Sequence, residues 1–302
     1  FLAPNPFRKV PFGPERSAAE IVHSFHETLD SKGYIFLFYD YISKESRIRC
    51  SVNGMMLTVD FIKKDPSIYV KTNRDIPERY THPLNDKIGS KYFGRLGTSK
   101  NSPSSGYLEP LMDNSFFMSS NLINAGYQYL RKNWASIANL KIGKKIAETC
   151  SIFSHDEYID IIIEPFLGQS LSLYAYCKDG KRIRLGDLGE GVQNFIVARM
   201  LYEVENSKLL LWDDIEAHLN PRMILYISEW FSDLLQDGRQ IILTTHSIEA
   251  TRMIASLNED KAKIYLISLK DGILETKELT LKEFEEIYDD GIDGRTAEPF
   301  LL

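Results

Sequence analysis

Long apolar runs are missing from this sequence of 302 residues. The longest are about five to eight residues, far below the roughly 20 that cross a bilayer, so no transmembrane helix and no membrane partner are expected. The opening residues, FLAPNPFRKVPFGPER, contain no apolar core of the kind a secretory signal needs. Cysteine is scarce: Cys50, Cys150 and Cys177 are odd in number, widely spaced and without a CxxC pattern. Reduced thiols in a cytoplasmic protein fit this usage, and metal binding through them does not. A net charge of −6 excludes a surface coated in positive charge, although a local basic patch can still meet phosphates. Internal repeats are lacking too. Because the chain begins with Phe1 rather than Met, it is expected to be a fragment, a processed product or a sequence whose start is missing.

What is present, 43% hydrophobic and 26% charged residues, suits a globular α/β protein of one large or two smaller domains. Chemistry concentrates between Gly186 and Ser247. Two short apolar runs, Lys208 to Trp212 and Gln240 to Thr244, end in the polar clusters Asp213-Asp214 and Thr245-His246-Ser247. They read as buried parallel strands carrying active groups at their carboxyl ends. Between them Asn220 caps a helix and Pro221 takes its first position, where a missing N–H costs nothing. Met223, Ile224, Ile227, Trp230, Phe231, Leu234 and Leu235 give that helix one apolar face, and Gly238 ends it. The unit is strand, crossover helix, strand, and ligands bind at the carboxyl ends of such strands. Leu188-Gly189-Glu190-Gly191-Val192-Gln193 precedes a long helix, so its backbone N–H groups form an anion site. One of the paired aspartates could hold a hard divalent cation through water while its neighbour orients an attacking water.

The remainder frames this stretch. Ser17 to Glu20 is a capping box opening a helix to about Asp30. His23 and His26 on it lack a third ligand at a matching spacing. Gly33 to Tyr41 reads as a strand, and Arg47 to Val52 pairs with Met55 to Phe61 through an Asn53-Gly54 hairpin. From about Lys63 to Ser120 the pattern weakens, with a polar loop from Gly97 to Gly106. The aromatics Tyr80, Tyr92, Phe93, Tyr107, Phe116 and Phe117 read as the core of a small lobe. Asn121 to Cys150 reads as helix. Its basic residues Arg131, Lys132, Lys141, Lys144 and Lys145 are assigned to a solvated face rather than to nucleic acid. Strands at Tyr158 to Glu164, Ser170 to Cys177 and Arg182 to Leu185 lead into Gly186. After His246 come a helix from Ile248 to Leu257, a hairpin around Asp271-Gly272, a short helix from Leu281 to Tyr288 and a tail without periodicity.

Between Tyr158 and Arg295 the order of these motifs resembles the ABC-type ATPases, and within them the small soluble AAA-type proteins related to chromosome-maintenance and recombination-repair ATPases. LGEGVQ is similar to the signature motif, LLLWDDIEAHLNP to the Walker B strand and its loop, and LTTHS to the switch-histidine strand end. The resemblance implies a mostly parallel sheet with an antiparallel β subdomain and an inserted arm. Three segments follow: the N-terminal part of the head over 1–62, an inserted lobe or helical arm over 63–150, and the signature, Walker B and switch-histidine lobe over 151–302. It further implies ATP and Mg²⁺ as cofactors. Asp213 would hold Mg²⁺ through water, Asp214 would take the place of the catalytic glutamate, and His246 would sense the γ-phosphate. Gly189, Glu190, Gly191, Val192 and Gln193 would grip the nucleotide of a partner across a homodimer, and Glu216 to Pro221 would cross that interface. Nucleic acid or an operon-encoded protein would be a further partner, in repair or defence.

The sequence departs from the family pattern in three places. Gly189 stands where a serine usually bonds the γ-phosphate, and Asp214 is one methylene shorter than glutamate, so hydrolysis is expected to be slow or absent. No GxxxxGK[ST] phosphate loop occurs anywhere in the chain. Phe1-Leu-Ala-Pro-Asn5 resembles the strand and turn that lead into such a loop, and the natural protein is expected to carry one that this chain has lost. Two rival functions stand beside an ATPase. One is a degenerate module that dimerises on nucleotide without turnover. The other is a metal-dependent hydrolase using Asp213, Asp214, Glu216, His218 and His246 directly.

Overall fold

A computed structural model of the chain describes residues 38, 42–52, 54–64, 67–73, 93–97, 115–153, 157–166, 171–217 and 219–290. Apart from Phe38 and Gly97, the expected helix from Ser17 with its two histidines, the strand from Gly33 and the polar loop to Gly106 lie outside these residues. So do Tyr80, Tyr92, Tyr107, His218 and the tail beyond Asp290. Two compact units are present, residues 1–115 and 116–302.

The first unit is a four-stranded sheet of β1 (Glu45–Val52), β2 (Met55–Lys64), β3 (Ser67–Thr72) and β4 (Phe93–Gly97), in that order. Val52 pairs with Met55 across the antiparallel β1–β2 ladder, and Gly54 lies in the turn between them. Gly54 sits at φ +78°, the left-handed conformation that this turn class demands. Leu57, Val59 and Phe61 are all buried, the period-two pattern of a strand with one covered face. On β2 itself Asp60 meets Arg47 of β1 at 2.6 Å. The ladder continues beyond the expected hairpin, because β3 pairs antiparallel with β2 and β4 runs parallel to β3.

The second unit holds the motif-bearing stretch. Its central sheet orders β10 (Gln240–Leu243), β9 (Leu209–Trp212) and β5 (Ser115–Met118), and β9 and β10 are parallel. An antiparallel sheet of β6 (Tyr158–Pro165), β7 (Leu171–Cys177) and β8 (Arg182–Arg184) precedes the glycine motif, and β11 (Ile264–Lys270) with β12 (Ile273–Leu279) forms the late hairpin. The expected single helix over 121–150 is three: α1 (Ser120–Lys132), α2 (Trp134–Asn139) and α3 (Ile142–Phe153). The breaks fall at Asn133 and at Leu140-Lys141, where Lys141 takes φ +55° and the chain turns. Then follow α4 (Glu190–Glu205), α5 (Pro221–Gln236), α6 (Ile248–Ser256) and α7 (Leu281–Asp289).

The crossover helix α5 forms as its sequence dictates. Asn220 accepts a hydrogen bond from the Met223 N–H at 2.9 Å with Pro221 at the first position. Met223, Ile224, Ile227, Trp230, Phe231 and Leu234 are buried. Around Trp230 gather Phe195 and Tyr202 of α4 and Trp212 of β9, with edge-to-face ring contacts at 5.4 to 6.3 Å. Such pairs add about 0.5–1.5 kcal/mol each beyond the area they bury. Helix α4 runs through the middle of the unit, with every residue from Phe195 to Tyr202 buried, Arg199 among them. Arg199 lies over the Trp230 ring at 4.6 Å and donates to Glu203 at 3.0 Å, and Lys145 of α3 reaches the same carboxylate at 3.0 Å.

Two outcomes follow from this packing. Burial pushes the Cys150 thiol up to about 12, against a partial opposing pull from the charge of Arg199. At pH 8 an alkylating reagent will therefore spare Cys150 in the native chain and modify it after unfolding, as mass spectrometry of the peptides can show. Gly143 sits where α3 meets β6, and a Cβ built there collides with the Ile161 carbonyl oxygen and approaches Asp160 Oδ1. Helix propensity alone favours Gly143→Ala by about 1 kcal/mol. Displacing a strand carbonyl costs more, so this variant will lower stability by roughly 1–3 kcal/mol in urea titration.

Candidate functional site

Parallel pairing of β9 with β10 sets the site. Trp212 lies opposite Leu243, so the next residues of both strands emerge side by side. The ladder is extended by Thr244 N–H donating to the Trp212 carbonyl at 2.9 Å, and by Asp213 N–H donating to the Met118 carbonyl of β5 at 2.9 Å. Thr244 then links both acids. Its hydroxyl donates to Asp213 Oδ1 at 2.7 Å and accepts from the Asp214 N–H at 2.8 Å. The chain turns sharply here, with Asp214 at φ +54°, and buried Ile215 anchors the turn through an N–H donated to the Thr244 carbonyl at 3.1 Å. Glu216 points back across the gap, and its Oε1 accepts the backbone N–H of His246 at 2.5 Å. The neighbouring Ser247 caps α6, accepting from the Ala250 N–H at 3.1 Å.

Charge is crowded in this cluster. Desolvation, followed by the nearby Glu216 carboxylate and a smaller contribution from Asp213, raises the Asp214 carboxyl above the ordinary carboxylate range, with His246 opposing. Glu216 Oε2 is buried and has no hydrogen-bond partner among the described residues. Of the residues picked out by sequence, Asp213, Asp214 and His246 thus share one cluster. Glu216 and Thr244 complete it. The sequence reading placed Glu216 at the start of a crossing loop and in the metal-hydrolase alternative and passed over Thr244, because side-chain bonds between segments about 30 residues apart leave no periodic trace. A threonine closing an apolar strand opposite paired acids was the available signal.

The glycine motif is built separately. A short 3₁₀ turn, Leu185–Asp187, delivers the chain to Gly189, which caps α4 with φ −61° and ψ 146°. The Val192 and Gln193 N–H groups donate to the Gly189 carbonyl, while the Gln193 side chain donates to the Leu188 carbonyl at 2.6 Å. Glu190 lies in the first turn of α4, where its charge complements the helix dipole. A Cβ added at Gly189 meets nothing within 4 Å, so neither backbone conformation nor space requires glycine here.

Acids, a threonine and a histidine thus stand at the ends of adjacent parallel strands, preceded in sequence by a glycine turn that opens a helix. Residues 84–251, more than half of the chain and all of these groups, match the family described as "AAA domain, putative AbiEii toxin, Type IV TA system". The chain belongs to that family. No curated protein matches the sequence. Among solved structures, a SmcHead bound to the C-winged helix domain of ScpA overlaps 80% of this chain and 76% of its own at 15% identity and TM-score 0.42. The SMC head domain from Thermotoga maritima overlaps 78% of this chain and 73% of its own at 11% identity and TM-score 0.36. A structure from work on ATP-driven dimerization and DNA-stimulated activation of SMC ATPases overlaps 55% of this chain and 96% of its own at 16% identity and TM-score 0.39. The family assignment rests on the sequence match rather than on these overlaps.

The Thr244 hydroxyl serves two partners at once, so Thr244→Val removes two hydrogen bonds while keeping the shape of the side chain. We expect a loss of roughly 1–2 kcal/mol in chemical denaturation. Thr244→Ser, which retains the hydroxyl, will lose less.

Proposed function

We propose that this protein binds and hydrolyses ATP as a dimer closed by nucleotide, at a slow rate. The observation that carries this reading is the strand-end cluster, in which one hydroxyl, that of Thr244, fixes both Asp213 and the backbone of Asp214. A single carboxylate beside a hydroxyl suits Mg²⁺ held mainly through water and phosphate oxygens, the usual manner of that ion. Asp213 is the residue that would hold it. Bound Mg²⁺ and ATP would supply the phosphoryl group and neutralise its charge. The Asp214 carboxyl, raised above the ordinary carboxylate range chiefly by desolvation, orients water poorly at low pH and better as the pH rises. His246, whose backbone N–H is held by Glu216, would sense the terminal phosphate.

The direct metal-hydrolase reading also names His218, which lies outside the described residues; among those described, no three of His, Cys, Asp and Glu are grouped to hold a metal ion. Nor does any helix among them have the length and apolar character to cross a membrane. The partner's nucleotide would meet Gly189 to Gln193, and repair or defence is the setting we assign. The family description, which names a toxin–antitoxin system, favours defence.

The test is ATP turnover of the full-length gene product, with its phosphate loop if encoded, against Asp214→Ala. Loss of the water-orienting carboxylate should lower kcat about 100-fold or more. Equal rates would show that no catalysis occurs at this site and would leave the nucleotide-dependent dimerisation module. Gly189→Ser is the complementary change. The new side chain has room, and a hydrogen bond to a charged phosphate oxygen is worth about 1.5–3 kcal/mol. Turnover or ATP-dependent dimer formation, followed by analytical ultracentrifugation, should improve roughly tenfold.

A further inference from the structure

Two local costs fall within one short loop. Asp214 adopts a left-handed φ of +54° without being glycine, and two residues later a carboxylate oxygen, Glu216 Oε2, is buried with no partner among the described residues. Conformations and desolvated groups of this kind persist where the surrounding structure forces them, and they concentrate at functional sites. Here the forcing contacts are visible. Buried Ile215 and the Thr244 carbonyl hold the middle of the loop, while the Glu216 carboxylate reaches the His246 N–H at 2.5 Å. The bond joins residues 30 apart in sequence. It is charge-assisted, and such bonds are among the stronger and more directional that a protein makes.

We infer that Glu216 is a positioning residue for His246: its carboxylate fixes the backbone at the end of β10 and thereby ties that histidine to the loop that runs from Glu216 to Pro221. This rests on the proposed ATPase reading, in which His246 meets the terminal phosphate. The structural consequence is that the loop and the histidine cannot shift independently. A partner that engages residues 216–221 moves the backbone of His246 with them, and release of the loop frees it. Glu216 also lies beside the Asp214 carboxyl, on which its charge acts.

Two variants separate this role from general support of the fold. Glu216→Gln keeps an oxygen that can accept the His246 N–H, whereas Glu216→Ala removes the acceptor. In the full-length protein we expect Glu216→Ala to lower kcat about 100-fold, as a misplaced catalytic group does, with KM for ATP changed less than about threefold. Glu216→Gln should recover most of that rate. Equal kcat losses in both variants, or none in either, would overturn the inference.

A second measurement does not depend on turnover. In an amide NMR spectrum, the His246 N–H signal should stand at low field in the wild-type chain, move upfield in Glu216→Ala and stay near its place in Glu216→Gln. A His246 signal that does not respond to Glu216→Ala refutes the tether even if the enzyme is active. A protein without turnover in which that signal moves as described refutes the ATPase reading and keeps the tether.

Discussion

The candidate site depends on one register. Four backbone pairs, Leu209 with Gln240 through Trp212 with Leu243, align β9 with β10, and each functional group then appears at a fixed step beyond the last pair. Side chains alternate along a strand, so a slip of one residue would turn Leu210 and Trp212 out of the core and bring their neighbours in. Burial of Trp212 against Trp230 and Phe231 opposes that slip. The aromatic cluster under the sheet therefore holds the Thr244 hydroxyl where it meets Asp213. Packing and chemistry are set by the same few contacts.

From this register the loops inherit their shapes. Asp213 is bonded on one side to β5 and on the other to Thr244, which leaves it little freedom. Asp214 turns the chain, and Ile215 goes back into the core before Glu216 emerges. An apolar residue between two acids looks unremarkable in sequence. In the fold it is the pin between the turn at Asp214 and the Glu216 carboxylate, and His246 opposes the rise that Glu216 causes at Asp214.

Much of the fold was legible because it is written in local rules. Asn53-Gly54 announced a two-residue hairpin, Asn220-Pro221 a capped helix, and the three- and four-residue spacing of Met223 to Leu234 its buried face. These signals act within a few residues of where they are read. The break at Asn133 was not legible, since the seven-residue spacing of Ile123, Leu130 and Ile137 continues through it. Of the site, the acids and the histidine stood out by their place after apolar runs. The partners that orient them did not, because Thr244 and Glu216 act across space, and nothing in a single sequence records such a pairing.

Helix α4 has a consequence of its own. Eight successive residues, Phe195 to Tyr202, are buried, so the helix has no wet side on which to roll or slide. It is a rod set in a close-packed medium, with the glycine turn at one end and the Arg199, Glu203 and Lys145 contacts near the other. Protein interiors compress little. A push on the turn at Gly189 is therefore carried along the rod as displacement rather than absorbed as local slack, and it arrives where α3 is attached.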